Sequence, residues 1–156
     1  MKTAIFPGSF DPFTLGHMDV LLSSLKLFDK IIIAVGHNIQ KRGFYTVEER
    51  VEIIKMATEG LKNVVVTSYR GLTVDFCKQQ NVNFIIRGLR TTTDFELETV
   101  ISQANSRINP AILTVFIPAG NESSFISSTV VRDLLENGGD ATPFMPAKVD
   151  LKKIRE

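Results

Sequence analysis

With 156 residues, 44% hydrophobic and 22% charged, and a formal net charge of +1, the chain has the size and balance of one domain, 1–156, that buries its own core. Its basic residues form no like-charge run, its one cysteine, Cys77, permits no internal disulfide framework, and no apolar stretch nears a membrane span. With no basic-then-apolar leader after Met1, these features exclude a charge-held nucleic-acid module and a membrane protein, and predict a reduced, cytoplasmic domain.

Strand-like and helix-like segments alternate along the chain. "TAIF" (Thr3–Phe6) reads as a short buried strand, and from His17 the residues Met18, Leu21, Leu22, Leu25 and Phe28 recur at helical spacing. "KIIIAVG" (Lys30–Gly36) is a continuous β-branched run, as a strand buried on both faces should be. "TVEE" (Thr46–Glu49) is a capping box, followed by a stripe of Val47, Val51, Ile54, Ala57 and Leu61. A third strand (Asn63–Tyr69), a short helix (Val74–Gln80) and a fourth strand (Asn83–Arg87) follow. Thr93 to Glu96 predicts the start of a long helix with Leu97, Val100, Ile101, Ala104 and Ile108 on one face, ended by Pro110. "ILTVFIP" (Ile112–Pro118) is a fifth strand, the loop Asn121–Phe125 comes next, and "SSTVVRDLLENGG" reads as a helix with a hydroxyl cap and a glycine stop. The tail after Pro146 is expected to be a short amphipathic helix, with Lys148, Lys152, Lys153 and Arg155 on its solvated face.

This alternation predicts an α/β fold: a five-stranded parallel sheet, doubly wound and Rossmann-like, with helices on both faces and right-handed crossovers. Such sheets bind ligands at the carboxyl ends of their strands. The loops there are "PGSFDPFTLGH", "GHNIQKR" with Lys41 and Arg42, "YRGLT", "RGLR" with Arg87 and Arg90, and "SSFISST". Cations, helix-start hydroxyls and a histidine beside glycines collect on that edge, while the opposite turns ("FDK", "GLKN", "QNVN") look plain. The asymmetry predicts one site built for several phosphates.

Absences narrow its type. No Walker A loop, dinucleotide fingerprint, zinc-spaced Cys/His cluster or G-x-S-x-G elbow occurs. What remains is His17 at a helix start, facing a second, hydroxyl-capped helix start. Helix N-termini present free N–H groups to anions, and Gly16 lets a ligand approach the backbone. An imidazole there can donate to a phosphate oxygen as charge builds, and reactions at phosphorus need mostly positioning and electrostatic stabilisation. His37 and Cys77 read as structural, and Asp11 and Pro12 as shaping the first loop.

"TLGH" (Thr14–His17) resembles the first signature of the nucleotidyltransferases related to class I aminoacyl-tRNA synthetases, and "ISSTVVR" (Ile126–Arg132) resembles their second. Together with "PGSFDPFTLGH", "FYTVEERV", "IIRGLRTTTDFELE" and "SFISSTVV", the chain almost end to end resembles the bacterial phosphopantetheine adenylyltransferase family. Thr14 sets it apart from relatives that adenylylate or cytidylylate nicotinamide or glycerol phosphates, which usually carry histidine there. The resemblance implies that ATP and 4′-phosphopantetheine give dephospho-coenzyme A and pyrophosphate by direct in-line attack. It implies Mg²⁺ held mainly by substrate phosphates and water, inhibition by coenzyme A, and a homohexamer.

The resemblance also assigns roles. Ser9 and Lys41 hold and align the attacking phosphate, His17 stabilises the transition state at the α-phosphate, and Arg87 and Thr73 lie on the phosphopantetheine side. Phe10, Gly88, Leu89, Arg90 and Glu98 line the ATP site together with Ser9 and His17. Ser123, Ser124, Phe125, Ile126 and Ser127 wrap the nucleotide, with Ser128 and Thr129 on the outer phosphates. Three positions depart from the family pattern: Ser9 stands where Thr is common, Gly43 where Pro is frequent, and Ser123 where an aromatic residue is frequent.

Overall fold

Residues 1–120 and 122–155 are described by a computed structural model of the chain. Asn121, the first residue of the expected loop Asn121–Phe125, lies outside them. Strands β1 (Thr3–Gly8), β2 (Lys30–Gly36), β3 (Val64–Tyr69), β4 (Phe84–Leu89) and β5 (Leu113–Pro118) alternate with helices α1 (Leu15–Ser24), α2 (Val47–Ala57), α3 (Thr73–Gln80), α4 (Thr92–Ile108) and α5 (Ser128–Glu136). All pairings are parallel, in the order β3-β2-β1-β4-β5. The strand order reverses between β1 and β4, which is where such a sheet opens a crevice.

The core divides about the sheet. One buried cluster joins Phe6, Ile31, Ile33 and Ile86 to Leu21 of α1, Ile53 and Ile54 of α2, and Val131 of α5. The other joins Ile5, Ile32 and Ile85 to Val74, Phe76 and Cys77 of α3. Because successive strand residues point to opposite faces, Ile31 and Ile33 serve the first cluster and Ile32 the second. α4 contributes no buried residue: Leu97, Val100, Ile101 and Ile108 of its expected stripe are 62%, 63%, 43% and 58% exposed.

β1 runs two residues past its expected end, through Pro7. A proline seldom enters a central strand, because it cannot donate to the ladder. Here β1 and β4 pair in register only at Ile5 and Ile85. The Pro7 carbonyl turns towards β4 and accepts from the Arg87 side chain instead of a backbone N–H. The N–H and C=O of one strand residue point the same way, so the donor that Pro7 lacks would also have faced this parting. β4 is longer than expected as well, because Gly88 and Leu89 pair with Ile117 and Pro118, which places Arg87 inside the strand.

Other boundaries differ for local reasons. α1 begins at Leu15, so His17 lies in its first turn. It ends at Ser24, leaving Leu25 and Phe28 in the turn that follows, and Leu22 is 44% exposed while Val20 is buried. α4 is capped by Thr91 with Asp94, one box earlier than Thr93–Glu96. The tail after Pro146 holds a 3-10 turn at Leu151–Lys153 in place of an amphipathic helix, following another such turn at Thr142–Phe144. Its cations are not simply solvated either: Lys148 donates to the Glu59 carbonyl at 2.6 Å, and Arg155 pairs with Glu49.

Candidate active site

The first loop builds its own imidazole mount. The backbone N–H of Thr14, the residue capping α1, donates to Nδ1 of His17 at 3.0 Å. A histidine here takes the part that Glu plays in an ordinary capping box. Because Nδ1 accepts, the proton of the neutral ring sits on Nε2, which is left as a donor. The ring stacks on Phe13, with centroids 5.4 Å apart, and meets the edge of Phe10 at 5.0 Å. Burial among these rings, reinforced by the charges of Arg90 and Arg87, lowers its pKa from 6.5 to about 3, so the ring is neutral at ordinary pH. Phe10 holds its place with φ of 47°, a left-handed conformation uncommon outside glycine. Its ring covers Gly8, where a Cβ would lie 3.0 Å from the ring carbon Cζ.

From β4, Arg87 crosses the parting of the sheet. Its Nη1 donates to the Pro7 carbonyl at 2.6 Å, while Nε and Nη2 meet the two carboxylate oxygens of Glu98 at 2.9 and 2.8 Å. This fork-to-fork pair belongs to the stronger, geometrically specific class of ion pairs. Arg90 is more loosely held, with Nε 3.8 Å from Asp94. Gly88 lets β4 approach α1, since a Cβ would come 2.8 Å from Val20.

Two cavities meet on this edge. The first, about 300 Å³, runs from Ser9 and Phe10 past His17, Arg87, Gly88 and Arg90 to Ile126 and the start of α5. The second, about 250 Å³, extends from Ser9 and Arg87 towards Tyr69, Thr73, Asn105 and Thr114. Ser9, Arg87 and Glu98 line both. In the second, the Tyr69 and Thr73 hydroxyls are hydrogen-bonded at 2.7 Å. Among the described residues, the Thr114 hydroxyl is buried without a partner.

At the far end of the first cavity the three α5 hydroxyls have separate duties. Ser127 caps the helix by accepting from the Val130 N–H, Ser128 donates to the Pro12 carbonyl at 2.8 Å, and Thr129 accepts from Arg132 at 3.1 Å. Arg132 also donates to the Asp11 carbonyl at 2.7 Å, which ties α5 to the first loop. Ser123 turns away from the cavity: its buried hydroxyl donates to the Asp19 carboxylate of α1. It therefore ties the loop before α5 to α1 instead of facing the cavity.

Asp11 does more than shape its loop. Its buried carboxylate accepts the N–H groups of Phe44 and Tyr45, both at 2.8 Å, and lies 3.6 Å from Nε of Arg50. Arg50 donates in turn to the carbonyls of Tyr45 at 2.8 Å and Ser9 at 3.2 Å. Gly43 is packed against this pair, and a Cβ there would overlap the Arg50 guanidinium and come 2.8 Å from Asp11.

The structure thus places Ser9, Phe10, His17, Arg87, Gly88, Arg90, Glu98 and Ile126 to Thr129 around the first cavity, and Thr73 with Ser9, Arg87 and Glu98 around the second. Lys41 lines neither: it stands exposed on the loop between β2 and α2. Leu89, Ser123, Ser124 and Phe125 are also absent from both linings, and Phe125 is 63% exposed. Arg132, Asp94, Asn105 and Thr114 line the cavities without having been singled out. Arg132 was legible, as the closing residue of "ISSTVVR"; Asn105 and Thr114 carry no local signal. Among the described residues, no three His, Cys, Asp or Glu side chains gather to hold a metal ion. Beside the carboxylates of Asp94 and Glu98, the first cavity is lined by the cations Arg87, Arg90 and Arg132, by hydroxyls and by the N-terminus of α5, which suits an anionic ligand.

Comparison with known proteins places the chain in a family. The profile of the cytidylyltransferase-like family matches residues 5–134. The phosphopantetheine adenylyltransferase of Flavobacterium psychrophilum is 47% identical over 152 residues, covering 97% of this chain and 100% of the relative. That of Lachnoclostridium phytofermentans is 44% identical, covering 96% and 91%, and one from Clostridium botulinum is 42% identical, covering 99% and 98%. Among solved structures, a bifunctional NMN adenylyltransferase/ADP ribose pyrophosphatase from Francisella tularensis, complexed with AMP and manganese, superposes with a TM-score of 0.67 at 20% identity. The match covers 92% of this chain and 44% of that one, and speaks for the fold alone.

Proposed function

The chain belongs to the phosphopantetheine adenylyltransferases, within the cytidylyltransferase-like family, and from that premise we propose that it transfers the adenylyl group of ATP to 4′-phosphopantetheine, giving dephospho-coenzyme A and pyrophosphate in coenzyme A synthesis. The observation that carries this reading is the meeting of two cavities at Ser9, Arg87 and Glu98. One offers His17, Arg90 and a helix N-terminus to a triphosphate. The other offers hydroxyls and the Asn105 amide to an acceptor whose arm is a chain of amides.

In this reading an oxygen of the acceptor phosphate attacks the α-phosphorus in line. The new P–O bond forms as the bond to the β-phosphate oxygen breaks, and pyrophosphate leaves without a covalent enzyme intermediate. Ser9 holds the acceptor phosphate and Lys41 approaches it from the exposed loop, while Arg87 and Thr73 bind the acceptor arm. The Nε2–H of His17 donates to the α-phosphoryl oxygen as charge builds there. A neutral imidazole fits that task, since it donates without needing to lose its proton. Phe10, Gly88, Leu89, Arg90 and Glu98 lie on the ATP side, the loop of residues 123–127 wraps the nucleotide, and Ser128 and Thr129, with Arg132 beside them, face the outer phosphates. Magnesium enters as part of the ATP complex, held by phosphate oxygens and water.

Coenzyme A, which resembles the product, would occupy both cavities and inhibit. The exposed apolar face of α4 supports assembly into a homohexamer. Among the described residues no helix is long and apolar enough to cross a membrane, in keeping with a cytoplasmic location. The deciding experiment supplies ATP, Mg²⁺ and 4′-phosphopantetheine and measures pyrophosphate and dephospho-coenzyme A, with nicotinamide mononucleotide and glycerol phosphate as alternative acceptors. Absence of pyrophosphate from folded protein with 4′-phosphopantetheine overturns the reading, and release with another acceptor reassigns the substrate.

A further inference from the structure

Phe44 and Tyr45, just downstream of the Lys41 loop, have all four backbone polar groups taken by charged side chains. Asp11 accepts both N–H groups, Arg50 donates to the Tyr45 carbonyl, and Arg155 donates to the Phe44 carbonyl. Arg155 comes from the far end of the described chain, 111 residues away from Phe44. Its guanidinium lies 4.8 Å from the Tyr45 ring centroid and 5.2 Å from that of Phe44. It is oriented by Glu49, with Nε–Oε2 at 2.7 Å and Nη2–Oε1 at 3.2 Å. Three observations thus converge on one contact: a carbonyl bond, a two-point ion pair and two aromatic faces.

This contact bears on the site because of what lies on either side of it. Upstream, the Lys41 loop leaves the sheet at a fixed point, where the His37 N–H bonds the Tyr69 carbonyl at 3.0 Å. Between that point and Phe44, residues 38–42 are exposed, and their hydrogen bonding is local, from the Gln40 N–H to the Asn38 side chain. The range open to Lys41 is therefore set by the two ends of its loop. The downstream end is linked to Ser9 through Arg50, which bonds both the Tyr45 and Ser9 carbonyls.

We propose that Arg155 is a positioning residue for the acceptor half-reaction: by holding the Phe44–Tyr45 anchor it sets the reach of Lys41 towards the phosphate that Ser9 receives. The proposal rests on the reading of Ser9 and Lys41 as the groups that hold that phosphate. Arg155 touches no substrate and acts through the loop.

The test uses the full chain with Arg155→Ala, Lys41→Ala and the double variant, each checked for folding by its denaturation midpoint. Arg155→Ala is expected to lower kcat/KM for 4′-phosphopantetheine about five-fold, the scale of one exposed ion pair, while leaving direct ATP binding unchanged. Added to Lys41→Ala it should cost nothing more, because its effect runs through Lys41. Amide hydrogen exchange over residues 38–45 should speed up in Arg155→Ala. An equal loss with and without Lys41, or unchanged exchange in the loop, overturns the proposal. If the unmodified chain releases no pyrophosphate, the proposed activity has failed, and the exchange measurement still decides whether Arg155 holds the anchor.

Discussion

Arg87 and Glu98 meet fork to fork on the wall between the two cavities, with N–O distances of 2.9 and 2.8 Å. The remaining guanidinium arm is held by the Pro7 carbonyl, so Glu98 fixes where Arg87 points. Glu98→Gln keeps the shape and removes the charge. The side chains are 32% and 12% exposed, between a surface and a buried pair. The expected loss is about 2 kcal/mol in urea denaturation, with kcat/KM for the acceptor down about ten-fold. Unchanged values for both would mean the pair is incidental.

His17→Gln removes the Nε2 donor at its present position. Loss of one transition-state donor lowers kcat by about 10²- to 10³-fold, and steady-state pyrophosphate release measures it. Normal turnover in this variant would exclude His17 as the stabiliser.

The lowered pKa of His17 has a signed consequence for stability. The unfolded chain protonates this ring near 6.5, the folded chain only near 3. Its contribution is therefore complete above pH 6.5 and is lost as pH falls from there towards 3. Denaturation at pH 7 and pH 4.5 should show a smaller drop for His17→Gln than for the native sequence. The kcat profile between pH 6 and 8 should carry no inflection from this histidine.

Ser123 and Asp19 join the loop before α5 to α1, two residues beyond His17 in the chain. Ser123→Ala leaves the Asp19 carboxylate without that donor and frees the loop. KM for ATP should rise about three- to ten-fold, as loss of a charge-assisted hydrogen bond implies, with KM for the acceptor unchanged. Equal rises in both constants would show a general loosening instead.

Gly43 has no room for a side chain beside Asp11 and Arg50. Gly43→Ala should cost about 1–3 kcal/mol, the usual scale of overpacking. Chemical denaturation measures this, and a neutral result would mean that the Asp11–Arg50 pair moves aside freely.

Legibility in the sequence followed how local each cause was. β2 is found where "KIIIAVG" places it, because burial on both faces leaves a continuous apolar signature. The end of β1 was obscured by Pro7, whose tolerance depends on β4 parting from it. The start of α4 was ambiguous because Thr91, Thr92 and Thr93 offer three capping registers, and Asp94 selects the first. In the site, helix-start hydroxyls and the cation-rich edge could be read directly. The Arg87–Glu98 fork could not, since the strand and the helix that bring the two together are set by packing. Arg155 looked like a solvated cation, because nothing near it in the sequence announces Glu49.

The parting of β1 and β4 gives the molecule a seam. Each of these strands is stitched to its outer neighbour over six residues but to the other in register at a single pair. The sheet is thus two panels, with Ser9 and His17 on or beside one and Arg87 and Arg90 on or beside the other. On the proposed function, a nucleotide and its acceptor laid across the seam would touch both panels at once and add cohesion where the backbone supplies least. Filling the site would then also fasten the two halves of the fold.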